Sequence, residues 1–340
     1  MNKNLEDIAR LAGVSRSTVS RVINNNPNVS AATRERVLNV IQEQQYRPNH
    51  IARALVTRRT RVISLVIPES VTFTFSDPFI TIVTDHVMKR ARECGYAVML
   101  WIGDTNETAD QYFERIVGNR LSDGAIVVSA VADDPLIPRM LEVGFPFIII
   151  GPPSQAGLDY IDIDNMGGAQ AAVRYLAQQG RRRIGMITGP LKMIAAYHRL
   201  NGYRQALEEA GLECCDSWVI ESSNYTEMSG YTCMKVLLEQ DLDAVFAGSD
   251  VMAIGAMRAI NERGLRIPDD ISIVGFDDIP LAAVTTPPLT TVRQPAAQLG
   301  TVASQALIDL LEGQLQQPFE NVFPVELIVR ETCMSMAERG

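Results

Sequence analysis

The chain has little of what most active sites are built from. Its 340 residues include three histidines (His50, His86 and His198), two tryptophans and five cysteines. The cysteines, at 94, 214, 215, 233 and 333, are odd in number and two are adjacent, so they form no disulfide framework, and no C-x-x-C spacing offers zinc a site. Free thiols in a reducing cytoplasm are expected, with neither a metal nor a cofactor. No apolar run approaches the ~18 residues of a membrane span; Val143–Ile150 is strand-sized and contains Gly144 and Pro146. The opening MNKNLEDIAR has charge but no apolar h-region, so no secretory signal and no membrane partner are expected. No G-x-G-x-x-G follows the first apolar strand and no G-x-x-x-x-G-K-[ST] occurs, which removes the familiar phosphate cradles. His198 has no Ser or Cys in a nucleophile context. Asp277 and Asp278 are adjacent at a strand end and point in different directions, which does not suit a paired acid and base. An enzyme is therefore not expected.

What is present is an uneven distribution of charge. The formal net charge of −9 reads as that of an acidic protein with no use for nucleic acid. Residues 1–60, however, hold ten basic side chains (Lys3, Arg10, Arg16, Arg21, Arg34, Arg36, Arg47, Arg53, Arg58, Arg59) against four acidic ones (Glu6, Asp7, Glu35, Glu43). That is a formal +6, which leaves −15 for residues 61–340. A basic head on an acidic body implies a polyanion-binding module joined to something that does another job.

In the head, Asn4 precedes the apolar-periodic run Leu5, Ile8, Ala9, Leu11, Ala12, with Asp7 three positions on: an N-cap with an acidic first turn. Gly13 ends this helix at a tight corner, and Ser15 caps a second, Arg16–Asn24. Ala9, Gly13 and Val19 stand at helix-turn-helix intervals, although a purely structural helical hairpin shares that spacing. With Val14, Val19, Val22 and Ile23 turned inward, Arg16, Ser17, Ser20 and Arg21 are left outside near the helix N-terminus, the end that reaches base edges in a major groove. Thr18 is better placed for phosphate. A third helix, capped by Ser30, runs to about Gln45 on a buried stripe of Val37, Leu38, Val40 and Ile41. Pro48 blocks its continuation, and Asn49 can cap another of about seven residues, too short to be stable alone. That segment is either a frayed linker or one that folds only on DNA and presents an apolar wedge.

Residues 5–60 closely resemble the N-terminus of the LacI–GalR family of bacterial transcription regulators. The match rests on A-x-x-A-G-V-S-x-x-T-V-S-R-V-x-N from Ala9 to Asn24 and Y-x-P-N-x-x-A-x-x-L from Tyr46 to Leu55. The resemblance implies that Arg16, Ser17 and Arg21 read the major groove of a palindromic double-stranded operator, with Thr18 and Asn24 beside them. It also implies a DNA-contacting hinge with Asn49, His50, Ala52 and Leu55, in which Leu55 wedges into the central step from the minor groove.

From Arg61 onward short apolar runs alternate with helical stretches. Strands are expected at Val62–Ile67, Ala97–Ile102, Gly124–Val128, Phe147–Ile150, Tyr160–Ile163, Ile184–Thr188, Ala244–Ala247 and Ile271–Phe276. Helices are expected near 79–94, 106–120, 135–143, 167–179, 199–210, 229–239, 251–263 and 295–312. Strict alternation over this length means two parallel-sheet units with a ligand cleft at their carboxyl ends. The body resembles the periplasmic-binding-protein-like core of the same family, type I. The motifs are Asp77-Pro78-Phe79, Asp123-Gly124, Asp162-x-Asp164-Asn165-x-x-Gly168, Arg199-Leu200-x-Gly202-Tyr203, Ser249-Asp250-x-x-Ala253-x-Gly255, Val274-Gly275-Phe276-Asp277-Asp278 and the run from Pro288 to Pro295. The fold class is thus an all-α helix-turn-helix DNA-binding head plus an α/β core of two parallel-sheet subdomains. The expected division is a head at 1–48, a hinge and linker at 49–60, and a core at 61–340. Within the core, the N-subdomain spans about 61–161 and 293–322 and the C-subdomain about 162–292 and 323–340, with crossings near 160–163, 290–294 and 321–325.

By the same resemblance Arg199 and Asp277 grip a small-molecule effector, Tyr225 stacks on its ring, and Phe79 and Ser249 line the cleft. A guanidinium fork and a carboxylate suit adjacent sugar hydroxyls, and an aromatic face suits a sugar's C–H face. Arg199 could equally just open the 199–210 helix and Tyr225 could be core, while Asp164 and Asp250 read as helix caps. Some family members carry an acid after the Phe147–Ile150 strand, where this chain has Gly151-Pro152-Pro153. The 69–76 stretch, with Phe73 and Phe75, is longer than usual and is a candidate cap for the cleft or the dimer interface. The expected protein is a homodimeric, cytoplasmic regulator, a repressor of carbohydrate-utilisation genes controlled by a sugar or sugar derivative. The alternative is a corepressor-dependent regulator sensing a nucleobase; a free solute-binding protein or an enzyme fits less of the chain.

Overall fold

The computed structural model describes residues 4–23, 26–46, 59–67, 77–103, 108–128, 131–132 and 134–333. They fall into two compact units, divided between Thr60 and Arg61.

The head holds three helices, α1 (Leu5–Ala12), α2 (Arg16–Ile23) and α3 (Ala31–Glu43). Asn4 and Asp7 form a reciprocal capping box at the start of α1: Asp7 N donates to Asn4 Oδ1 at 3.0 Å and Asn4 N to Asp7 Oδ2 at 3.1 Å. Gly13 closes α1 with φ +63°, a conformation costly for any residue with a Cβ. Ser15 Oγ accepts from Thr18 N at 3.2 Å and opens α2. Ile8, Ala9, Ala12, Val19, Val22 and Val37 make the small core. Leu38 does not belong to it, contrary to the periodicity reading: it lies about 100° round α3 from Val37 and is 47% exposed. Ser20 is half-buried rather than outside.

The second unit contains two six-stranded sheets. In the first, the strands are β1 (Val62–Ile67), β2 (Ala97–Ile102), β3 (Gly124–Val128), β4 (Phe147–Ile150), β5 (Tyr160–Ile163) and β11 (Glu320–Phe323). Their order is β11-β5-β4-β3-β1-β2, all parallel. The second sheet holds β6 (Ile184–Thr188), β7 (Val219–Glu221), β8 (Ala244–Ala247), β9 (Ser272–Asp277), β10 (Thr290–Arg293) and β12 (Glu326–Ile328). It runs β12-β10-β9-β8-β6-β7, parallel apart from the antiparallel β10–β12 pair. The helices between them are α4 (Pro78–Glu93), α5 (Ala109–Phe113), α6 (Leu136–Glu142), α7 (Asn165–Gln178), α8 (Ile194–Glu209), α9 (Glu227–Leu237), α10 (Asp250–Glu262) and α11 (Ala296–Glu312). Among the described residues, no helix is long and apolar enough to cross a membrane.

The chain passes from one sheet to the other after β5 at Asp164, returns at Gln294-Pro295, and crosses again at Pro324-Val325. Helix α11 accordingly packs on α4 and on β3, β4 and β5, while α7 packs on α8 and the second sheet. Among the boundaries that differ from the sequence expectation, three bear on the site or on helix type. Strand β9 runs one residue further and includes Asp277; α8 begins at Ile194, so Arg199 lies in its second turn; and the helix expected over 106–120 is α5 continued by a π-helical turn, Glu114–Gly118. Strands β7, β10, β11 and β12 have at most four residues and no apolar run, hence no periodic signal.

The flanking helices pair so closely that side chains are absent at the contacts. A Cβ at Gly230 on α9 would run into the backbone of Met252, and one at Gly255 on α10 into the carbonyl of Glu227. Gly300 does the same for α11 against Val83 on α4. Gly230→Ala is therefore expected to force α9 off α10 and cost ~1–3 kcal/mol. In thermal denaturation this reads as a fall in Tm of roughly 2–10 °C. The exposed neighbour substitution Val236→Ala leaves Tm within about 2 °C of the parent.

Candidate functional site

On the head, α2 presents Arg16, Ser17 and Arg21 to solvent. Arg16 Nη1 lies 3.3 Å from Glu6 Oε1, with both side chains about two-thirds exposed, a pairing weak enough to exchange for another anion. Thr18 is half-buried, its Oγ1 2.8 Å from Ser15 Oγ. Asn24, Asn49, His50, Ala52 and Leu55 lie outside the described residues, as does the 69–76 stretch.

In the core, a cleft of about 700 Å³, counting the open solvent at its mouth, lies where the carboxyl ends of the two sheets meet. Phe79, Arg199, Tyr225, Ser249 and Asp277 all line it. The elements explain why. Asp77 caps α4 by accepting from Phe79 N at 2.9 Å, which fixes Phe79 at the helix mouth. Ser249 caps α10, its Oγ taking Met252 N at 3.3 Å, so the cap expected of Asp250 belongs to its neighbour. Asp250 instead lies fully buried under the floor, bonded by Ile279 N at 2.9 Å and by Thr291 Oγ1. Asp164 does cap its helix, taking Gly167 N at 2.7 Å. The Tyr225 ring rests against Gly189, where no Cβ would fit.

Arg199 is 7% exposed, at the centre of the floor. Its Nε donates to Asn165 Oδ1 at 2.8 Å and its Nη1 to Gly248 O at 2.6 Å. The guanidinium carbon sits 3.8 Å from the centroid of Phe276, and Nη1 is 3.9 Å from Asp277 Oδ1. Asp277 has φ +128° at the end of β9 and accepts from Gln294 Nε2. Asp278, also at positive φ, turns the other way and is clamped by Arg330 at 2.6 Å and Arg293 at 2.7 Å. The two carboxylates thus have separate tasks, as adjacency at a strand end dictates.

Several lining residues were not singled out in the sequence as site residues: Asp77, Asp162, Asn165, Met193 and Gln294. Asp162 leaves β5 with its Oδ1 held by Asn165 Nδ2 at 3.1 Å. Burial pushes the carboxyls of Asp77 and Asp162 up to about 6 against the opposing pull of Arg199. It pushes Asp277 well above the usual carboxylate range, with Asp250 and Asp77 adding to the rise. Asp77 and Asp162 were visible as motif letters, but which of a motif's acids faces a cleft depends on strand neighbours that a single sequence does not display. At the rim, Val131 and Met193 form an isolated antiparallel bridge, with Ala132 N 2.9 Å from Lys192 O.

Residues 4–49 match the family described as bacterial regulatory proteins, lacI family, and residues 173–333 match the periplasmic binding protein-like domain. Among characterised proteins, the HTH-type transcriptional regulator CelR of Thermobifida fusca is 40% identical over 334 residues, covering 96% of this chain and 97% of CelR. A solved CelR–cellobiose complex superposes with a TM-score of 0.76 at 38% identity, covering 97% of this chain and 99% of that one. The lac repressor dimer bound to operator and the anti-inducer ONPF superposes with a TM-score of 0.86 at 29% identity, covering 98% and 100%. Head, core and full-length likeness agree: the chain belongs to the lacI family of bacterial regulatory proteins, and is a transcriptional regulator with a helix-turn-helix head and a periplasmic-binding-protein-like core.

Proposed function

We propose that this regulator is a homodimeric repressor of carbohydrate-utilisation genes whose grip on a palindromic operator is set by a sugar or sugar derivative in the core cleft. The observation that carries this reading is the meeting of Phe79, Arg199, Tyr225, Ser249 and Asp277 around one cavity. Aromatic faces suit a pyranose ring, and a fork of donors beside carboxylate acceptors suits adjacent hydroxyls. The lining is rich in acceptors, which favours a ligand with hydroxyl donors on most of its carbons over a nucleobase with two or three donors. That CelR is captured with cellobiose and the lac repressor with a ligand and operator supports the same reading.

The mechanism is linkage. Two heads engage two half-sites, with Arg16, Ser17 and Arg21 on base edges, Thr18 and Asn24 beside them, and Asn49, His50, Ala52 and the Leu55 wedge serving the hinge. An effector that binds one arrangement of the core better than the other shifts the population of dimers competent for the operator. Because the protein regulates rather than transforms, no residue here is assigned to catalysis.

Three outcomes test this. Once an operator has been selected from random DNA, Arg16→Ala should relax preference at one base position by ~1–3 kcal/mol while leaving the others in place; unchanged preference everywhere removes Arg16 from base readout. Asp277→Asn should abolish the effector's influence on operator affinity and leave ligand-free DNA binding intact, as read by fluorescence anisotropy; a normal response misplaces the effector. The third concerns pH. Asp77 and Asp162 titrate near 6 in the fold against 3.8 for the unperturbed group. The folded state therefore binds protons more tightly than the unfolded chain between these values. The stability this contributes is fully present below pH 3.8 and is lost as pH rises through 6, by about 3 kcal/mol per group as an upper figure. Asp162→Asn should thus match the parent's stability near pH 4 and exceed it at pH 7.5 in ligand-free denaturant titrations. Equal differences at the two pH values refute the raised pKa.

A further inference from the structure

We propose that Asp162 is a specificity-determining residue of the cleft, and that with Asp77 and Asp277 it restricts the effector to an uncharged polyol and excludes phosphorylated and acidic sugars. This rests on the sugar reading above and narrows it. The first observation is register. Strand β4 pairs with β5 as Ile149 with Tyr160 and Ile150 with Ile161, and Gly151 N continues the ladder to Ile161 O at 2.8 Å. Asp162 therefore stands beside Gly151 and Pro152, which bring no polar side chain to the cleft. The neighbouring strand supplies a carboxylate at the place where β4 ends without one.

The second observation is the charge of the lining. Among the described residues it contains three carboxylates, Asp77, Asp162 and Asp277, and one cation, Arg199. That guanidinium is already engaged by Asn165, Gly248, Phe276 and Asp277. The other place where a phosphate or carboxylate could bind is the free amides at a helix N-terminus. Three of the helices that open on the cleft turn an early amide onto their own cap: Asp77 on Phe79 N, Ser249 on Met252 N and Asp164 on Gly167 N. The fourth, α8, has no side-chain cap and brings Met193 and Ala195 to the lining, which among the described residues has no basic side chain besides Arg199. At neutral pH an anion entering this site meets Asp77 and Asp162 beside a single guanidinium whose Nε and Nη1 already serve Asn165 and Gly248, whereas a neutral hydroxyl donates to the carboxylates. Carboxylates accept several hydrogen bonds each, so Asp162 keeps acceptor capacity beyond its bond from Asn165.

The test uses the full chain in thermal-shift assays followed by calorimetry. The probes are matched pairs: cellobiose and cellobionate, trehalose and trehalose 6-phosphate, galactose and galacturonate. A neutral member should bind, with its anionic counterpart at least about a hundredfold weaker. Asp162→Asn, which preserves shape and the bond from Asn165, should narrow that ratio by about tenfold. The remote surface change Asp110→Asn should leave it untouched. An anionic sugar that binds the parent within tenfold of its neutral partner overturns the proposal while leaving the sugar reading in place, and so does an unchanged ratio in Asp162→Asn. Binding of a nucleobase such as hypoxanthine, with no response to either sugar set, overturns the sugar reading and this proposal together.

Discussion

The core is organised around one buried guanidinium. Arg199 brings a permanent charge into the floor of the cleft, and a charge removed from water is tolerated only when its donors are matched by well-placed acceptors. Those acceptors come from parts of the chain far apart in sequence: Asn165 at the start of α7, Gly248 just past β8 and Asp277 at the tip of β9, with the Phe276 face beneath. They converge because parallel strands deliver all their carboxyl ends to one edge. The registers of β6 with β8, β8 with β9 and β9 with β10 set how far each tip protrudes. Arg199 is thus a consequence of the sheet's topology and also a constraint on it, since moving any of these tips would leave a buried donor unmet.

The same polar chain reaches the connections between the sheets. Asp162, the last residue but one of β5, is bonded to Asn165, the first residue after the crossing at Asp164. Asp277 is bonded to Gln294, which begins the return crossing. Two cleft carboxylates are therefore tied to two of the segments that set how one sheet lies against the other. A ligand drawing either carboxylate toward its hydroxyls acts on a crossing directly, with no relay through the packed cores. The Val131–Met193 bridge adds a noncovalent tie at the rim, and Met193 also lines the cleft. Linkage requires an element with two arrangements that the ligand distinguishes, and here the candidate elements touch the ligand site itself.

Much of this was legible from residue patterns. Strands β1, β3, β4, β6 and β8 were readable because burial on both faces leaves little to alternate, and the half-buried edge strand β2 because all six of its residues are apolar. The capping box at Asn4 and the corner at Gly13 were readable because backbone geometry there admits few side chains. What escaped were features fixed by neighbours across the sheet. Strands β7 and β11 show no apolar run because edge positions need little burial. Leu38 was misassigned because two neighbouring helix positions both fit a loose apolar stripe, and only the actual packing of α1 and α2 on α3 selects Val37. Asp250 looked like a cap because Ser249 and Asp250 are both good capping residues; the fold uses the serine and buries the acid against Ile279 and Thr291. The acid at 162 was seen as a motif letter, yet its place beside Gly151 exists only once β4 and β5 are paired.

Charge then unites the two halves of the chain. The head must attract a polyanion, and its +6 includes the exposed Arg16, whose pairing with Glu6 is weak. The body carries −15, much of it on solvated helix faces, which disfavours its contact with the same phosphate backbone and leaves docking to the heads. A cleft that recognised a phosphorylated effector through unpaired basic groups would add to that body a surface to which DNA phosphates would also be drawn. A cleft walled by Asp77, Asp162 and Asp277 avoids the conflict. A ligand that donates hydrogen bonds from neutral hydroxyls would be recognised there in a mode that DNA phosphates, having no donors, cannot imitate. The acidic lining and the basic head are two sides of one requirement, that each ligand find only its own site.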